Sequence, residues 1–165
     1  MTAAKQQINN QHAEPVELSD LDKKILTALQ KNGKASLRNL SEITGSSVTA
    51  VKNHVDTLTE LGVIKGYIAV VDCCKIGYNE MLIITLRINT RVKIEKILEK
   101  LDQIESINSI YQISGQYPIL CMAKCVSKEQ QMDLLERVKQ IEGIEEAITQ
   151  VVMRRIKEDY RVKIP

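Results

Sequence analysis

The chain has 165 residues, 44% of them hydrophobic, enough for one ordinary domain or two small ones with a buried core. Trp and Phe are absent, so the core must be built from Ile, Leu and Val with Met as filler, and the shortage of rings argues against a single-strand nucleic-acid platform. Net charge is +2 and residues 1–66 carry eight basic against seven acidic side chains, so any case for nucleic-acid binding must rest on where the charges sit.

Residues 1–17 are polar, rich in Gln and Asn and without periodicity, and are expected to form a flexible tail. They lack the apolar core of a secretory signal, and no run elsewhere approaches the ~20 apolar residues of a membrane span, which predicts a cytoplasmic protein with no membrane contact. Ser19 and Asp22 have the spacing of a capping box, and Leu21, Ile25, Leu26 and Leu29 form an apolar stripe at helical spacing that ends at Asn32-Gly33. Ser36 caps a second, shorter helix with Leu37, Leu40 and Ile43 inward, and Gly45 stops it. Ser47 caps a third, in which Val51, Val55, Leu58 and Leu61 face the core and Gly62 ends the helix. Three short helices with a glycine turn before the last have the pattern of a helix-turn-helix unit over residues 18–66.

Beyond Gly62 the texture becomes β-like. Val63 to Val71 is rich in β-branched residues and is expected to form a strand leading out of the first domain, with a linker around Gly77 completing residues 67–79. The remainder, 80–165, contains a repeat: Leu98-Glu99-Lys100-Leu101-Asp102-Gln103-Ile104-Glu105-Ser106-Ile107 aligns without a gap on Leu135-Glu136-Arg137-Val138-Lys139-Gln140-Ile141-Glu142-Gly143-Ile144. Strands are expected at Met81 to Ile88, Ile107 to Ile113, Ile119 to Val126 and Ile144 to Met153. The resulting βαββαβ order predicts an α+β, ferredoxin-like fold, an antiparallel sheet with both helices on one face. The other face is also apolar and predicts a partner copy packed on it, a homodimer.

On the third helix, Thr49, Lys52, Asn53 and Asp56 lie opposite the apolar seam. An Asn amide can bind adenine through two bonds, a Lys can reach guanine acceptors, and Ser46, Ser47 and the helix N-terminal amides suit a phosphate. The bland alternative is a solvated helix face, and Asp56 would repel phosphate unless it accepts from a cytosine amino group or pairs with Lys52 four residues away. His54 has no Cys, Ser or Asp arrangement to activate and is expected to be packed or DNA-facing. In the segment Ile113 to Ile119, Gly115 and Pro118 make a turn, and backbone groups at Gly115 and the amide of Gln116 could line a small-ligand pocket against another subunit.

Of the four cysteines, Cys73 and Cys74 are adjacent and Cys121 and Cys125 lie four apart. Neither pair has the C-x-x-C spacing of a zinc or redox site, so buried free thiols and no metal are expected. No phosphate-binding loop, dinucleotide motif, zinc-protease motif or nucleophile elbow is present, which speaks against an enzyme and predicts no cofactor.

These pieces together resemble the leucine-responsive and asparagine-responsive (Lrp/AsnC) regulators of bacteria and archaea. The resemblance rests on Leu18-Ser19-Asp20-Leu21-Asp22-Lys23-Lys24-Ile25-Leu26, Asn32-Gly33-Lys34-Ala35-Ser36, Leu61-Gly62-Val63-Ile64-Lys65-Gly66-Tyr67 and Ser114-Gly115-x-Tyr117. It implies a regulator of double-stranded DNA, with a helix-turn-helix at 18–66, a hinge strand and linker at 67–79, and a ferredoxin-like domain at 80–165. That last domain would dimerise, assemble further into tetramers or octamers, and sense an amino acid between dimers. It further implies base contacts among Ser47, Thr49, Lys52, Asn53 and His54, with Arg38 and Lys65 nearer the DNA backbone. Two departures stand out: the outer recognition face carries fewer basic residues than is usual, and the acids of the family loop Gly-Asp-Tyr-Asp are replaced by Gln116 and Pro118. The competing reading is an assembly or effector-sensing protein whose helix-turn-helix docks a protein rather than DNA.

Overall fold

The structure, a computed structural model, describes residues 14–165, so the flexible tail expected over residues 1–17 lies mostly outside the described residues. The chain forms two compact units: the residues up to Ala69 together with Asp159–Pro165, and Val70–Glu158.

In the first unit, α1 (Asp20–Lys31), α2 (Leu37–Thr44) and α3 (Val48–Glu60) enclose a core of Ile25, Leu26, Leu40, Val51, Leu58 and Ile64. Each helix begins at a serine whose hydroxyl accepts a backbone N–H: Ser19 from Asp22, Ser36 from Asn39 and Ser47 from Ala50. These caps satisfy donors that a helix cannot satisfy itself. Gly45, at φ 72°, closes α2 and permits the sharp turn into α3.

Two inward assignments fail. Ile43 is 57% exposed, because the buried position after Leu40 falls at Thr44, whose hydroxyl donates to the Leu40 carbonyl at 2.8 Å. Leu61 is 55% exposed, because α3 ends before it and the turn at Gly62 carries Ile64 into the core instead. The strand expected over Val63 to Val71, which runs across the boundary at Ala69, is also absent: these residues pair with no strand of the sheet, and Tyr67, Ile68, Val70 and Val71 are exposed. A β-prone sequence becomes a strand only when another edge is available to it.

The same unit includes a segment that gave no signal of belonging to it. The Gln30 amide donates to the Val162 carbonyl at 2.9 Å and accepts from the Val162 N–H at 2.7 Å. Ile164 packs beside this clamp on the helical core.

In the second unit, β1 (Glu80–Ile88), β2 (Ile107–Gln112), β3 (Ile119–Cys125) and β4 (Ile144–Val151) form an antiparallel sheet in the order β2-β3-β1-β4. Helices α4 (Ile94–Asp102) and α5 (Lys128–Lys139) connect the strands. The buried residues of β1 (Leu82, Ile84, Leu86) and of β3 (Ile119, Cys121, Ala123, Cys125) alternate along each strand and meet Ile97 and Leu101 of α4 and Leu134 and Val138 of α5. The repeat maps onto this layer position by position: Ile97 and Leu134, Leu101 and Val138, and Ile104 and Ile141 are buried equivalents. The intervening residues Met81, Ile83, Leu120 and Met122 point to the opposite face and are only half-buried.

Cys121 and Cys125 are buried, and burial pushes the Cys121 thiol up to about 12. Cys73 is half-buried and Cys74 exposed, which corrects the expectation of four buried thiols: both lie in the linker, where no second layer covers them.

Gly143 enters β4 at φ 96°, and a Cβ there would lie 2.8 Å from Val92 Cβ and 2.9 Å from Ile97 Cδ1. Gly143→Ala is therefore expected to cost about 2–4 kcal/mol through combined backbone strain and overpacking, read from the urea midpoint. Gly115→Ala, at φ 112° but with open space for its Cβ, should cost less.

Candidate functional site

The outer face of α3 presents Thr49, Lys52, Asn53 and Asp56 to solvent, with Val51 and Leu58 buried behind them. Its approach turn is fixed by Ser41, whose hydroxyl donates to the Ser46 carbonyl at 2.6 Å. The Ser47 hydroxyl accepts from the Ala50 N–H at 3.2 Å, which leaves its own proton for an outside acceptor.

Charge on this face is partly self-compensated. Lys52 Nζ lies 2.6 Å from Asp56 Oδ2, and that hydrogen bond raises the Lys52 pKa. A phosphate or base reaching Lys52 must compete with Asp56. Arg38, on the exposed side of α2, lies 3.5 Å from Glu42, and Lys65 is exposed just beyond α3.

His54 does not lie freely on the outer face. Its Nδ1 is 2.8 Å from Asp22 Oδ1, while the other Asp22 oxygen accepts from the Ser19 N–H at 2.9 Å and the Ser19 hydroxyl at 2.6 Å. Partial burial would raise the Asp22 pKa, but the bonds from Ser19 and His54 outweigh it and hold the carboxyl below its ordinary value. One carboxylate therefore closes the start of α1 and fixes α3 against it.

In the second unit, the connection between β2 and β3 is pinched by the Ile113 N–H donating to the Pro118 carbonyl at 2.8 Å. Ser114, Gly115 and Gln116 are exposed at its tip, and Tyr117 is half-buried. The Tyr117 hydroxyl donates to Glu146 Oε2 at 3.1 Å, and Arg87 Nη2 approaches the same oxygen at 3.1 Å. Burial, followed by the bond to Glu146, raises the Tyr117 pKa. Arg87 Nε is buried without a hydrogen-bond partner, its nearest carboxylate oxygen being that of Glu145 at 4.0 Å. The loop is thus anchored to a carboxylate and a guanidinium that the sequence reading did not include. The available signal was a charged residue at the end of an otherwise apolar strand, Leu82 to Ile88, and two acids after Ile144 where the first repeat copy has Asn108 and Ser109.

A cavity of about 580 Å³ lies elsewhere, lined by Lys23, Lys24, Lys31, Ile43 and Ile164 among others, and by none of the anticipated binding residues. Among the described residues no group of three or more His, Cys, Asp or Glu could hold a metal ion, and no helix is long and apolar enough to cross a membrane.

Residues 18–65 match the winged helix-turn-helix DNA-binding family, and residues 81–162 the Lrp/AsnC ligand binding domain. Relatives include the HTH-type transcriptional regulator FL11 of Pyrococcus furiosus, 34% identical over 86% of this chain and 93% of its own length. The HTH-type transcriptional regulator Ptr1 of Methanocaldococcus jannaschii is 35% identical over 64% of this chain and 71% of its own. Among solved structures, AsnC of E. coli superposes with a TM-score of 0.83 at 23% identity, covering 90% of this chain and all of that one. A Neisseria meningitidis transcriptional regulator in complex with L-Met gives 0.82 at 21%, covering 90% and 97%.

Asp22→Asn should lower stability at neutral pH by about 1–2 kcal/mol through loss of the capping carboxylate and its His54 contact. Because the folded-state pKa of Asp22 is depressed, this advantage of the parent is present above the ordinary value of 3.8 and lost as pH falls through the lower folded value. Urea melts of the two proteins as a function of pH should converge in that acid range.

Proposed function

The chain belongs to the Lrp/AsnC family of DNA-binding transcriptional regulators, and we propose that it acts as a dimer seating two copies of α3 in successive major grooves of a roughly palindromic promoter site. The observation that carries this reading is the outer face of α3, where short hydrogen-bonding groups stand clear of a rigidly capped helix. Asn53 and Thr49 read base edges, Lys52 exchanges Asp56 for a base or phosphate, and Ser46, Ser47, Arg38 and Lys65 hold the backbone. His54 positions the helix through Asp22 and leaves Nε2 for the DNA side. The protein acts in the cytoplasm and is not an enzyme.

Dimerisation through the second unit is supported by the half-buried apolar face of its sheet and by the unpaired β-prone segment Tyr67 to Val71. A partner copy would cover the first and offer a strand edge to the second. Assembly of dimers into tetramers or octamers would compensate for a sparsely basic recognition face by avidity.

In this reading Ser114, Gly115, Gln116 and Tyr117 form the effector site. Glu146, held by Tyr117, supplies the carboxylate that the loop itself lacks, and Arg87 a cation, so the pair suits the ammonium and carboxylate of an amino-acid-like ligand. An effector of this kind regulates by preferring one assembly over another.

A second reading, in which the helix-turn-helix docks a protein, draws on the exposed Ile43, Val48 and Leu61 of the first unit. Salt dependence separates the two, since phosphate contacts weaken steeply with salt and apolar docking does not. Genomic fragments selected by the purified protein at near-physiological salt should share an inverted repeat with half-sites about one helical turn apart. On such an operator Asn53→Ala should lose ~1–3 kcal/mol with no loss on scrambled DNA; equal loss on both would remove Asn53 from the specificity face. Asp56→Asn, which releases Lys52, should tighten binding to both and steepen the salt slope by about one unit.

A further inference from the structure

The adjacent cysteines lie four and five residues beyond Ala69, where the chain passes from the first unit to the second. Each sulfur has its own cation. Lys124 Nζ donates to Cys73 Sγ at 3.4 Å and Arg155 Nη2 to Cys74 Sγ at 3.5 Å. Glu158 ties the two cations together, with oxygens 3.9 Å from Lys124 and 2.7 Å from Arg155. The two cysteines, Lys124 and Arg155 share a cleft of about 310 Å³ with Tyr78 and Asn79. The buried Cys121 and Cys125, by contrast, sit against the helices in an apolar layer.

We propose that Cys73 and Cys74 form a reversible thiol–disulfide exchange site for an anionic low-molecular-weight disulfide, held by Lys124 and Arg155. A cationic cleft disfavours a metal cation and favours an anionic reagent. Exposure fixes the order of steps. The Cys74 thiolate attacks one sulfur of the reagent, forming a mixed disulfide while the reagent's own S–S bond breaks and the first small thiol leaves. The half-buried Cys73 thiolate then attacks the Cys74 sulfur, forming the Cys73–Cys74 bond and expelling the second small thiol. Two electrons pass from the cysteine pair to the reagent, and the two cysteine protons end on the released thiols.

The product is built to be temporary. Adjacent Cα atoms across a trans peptide are ~3.8 Å apart, below the ~4.4–6.8 Å usual for a disulfide, so the ring is strained and easily reduced. Strain of that kind marks regulatory rather than structural disulfides, the form expected in a reducing compartment. The backbone must also yield. The Cys73 carbonyl accepts from the Ile76 and Tyr78 N–H groups and the Cys74 carbonyl from Gly77, and Asp72 Oδ1 accepts from the Cys74 N–H at 3.1 Å. Closing the ring rearranges this turn, so oxidation alters the linker itself.

The test treats the full-length reduced protein with oxidised glutathione and follows it by intact mass and peptide mapping. Expected is a transient glutathione adduct on Cys74, then loss of two hydrogens mapped to the Cys73–Cys74 peptide, reversed by dithiothreitol. The rate with oxidised glutathione should fall ~10-fold at high salt, whereas that with the neutral 2-hydroxyethyl disulfide should not. Lys124→Gln with Arg155→Gln should reproduce the loss for the anionic reagent alone, and the salt comparison on the parent protein stands even if that variant folds poorly. Equal rates for the two reagents, a stable mixed disulfide without ring closure, or disulfides between separate chains would each overturn the proposal.

Discussion

The second unit depends on strand β1 being used on both of its edges and on one of its faces. It pairs with β3 on one side and β4 on the other, and Leu82, Ile84 and Leu86 form the floor on which both helices rest. Because side chains alternate, the same strand must send Met81, Ile83 and Thr85 to the opposite face. The helices cover one side only, so the apolar residues that occupy these alternate positions, Met81, Ile83, Leu120 and Met122, remain on the outer face. Arg87 marks where that face becomes polar, and the loop ending in Tyr117 is anchored there through Glu146. Folding layer and the β2–β3 loop are therefore linked through alternate residues of one strand.

The first unit follows another economy. Its helices are short, so much of their stability must come from caps and from a few contacts between helices. Asp22 serves both purposes, closing α1 with Ser19 and reaching His54 on α3. The orientation of α3 is thus tied to a carboxylate at the start of a different helix. The Lys52–Asp56 pair on the outer face involves no second helix and restrains the Lys52 ammonium group within α3 itself.

What was legible in the sequence was what is local or repeated. Helix starts and stops were marked by Ser and Gly, and the βαββαβ order by two copies of one helix and turn. Misplaced residues lay at the ends of elements: a helix as short as α2 defines its buried face loosely enough to exchange Ile43 for Thr44, and Leu61 left the stripe when α3 ended one residue earlier. The Val63 to Val71 segment has strand composition but pairs with no strand edge. Residues joined across long separations were not legible at all. Asp22 and His54 are 32 positions apart, Tyr117 and Glu146 29, and Cys74 and Arg155 81. No periodicity couples such positions, and only the fold brings them together.

The clamp between Gln30 and Val162 spans 132 positions, and it makes the DNA-binding unit discontinuous in the chain. During synthesis the three helices leave the ribosome long before the segment that finishes their core, with the whole second unit made in between. The nascent helices must therefore persist with the surface later covered by Ile164 open to water. The converse holds in the finished protein: the segment docked through the Gln30 clamp and Ile164 carries no helix or strand of its own, so it can detach without unravelling a helix. A peptide or tag fused after Pro165 would begin next to the helical core of the DNA-binding unit, although in sequence it adjoins the other.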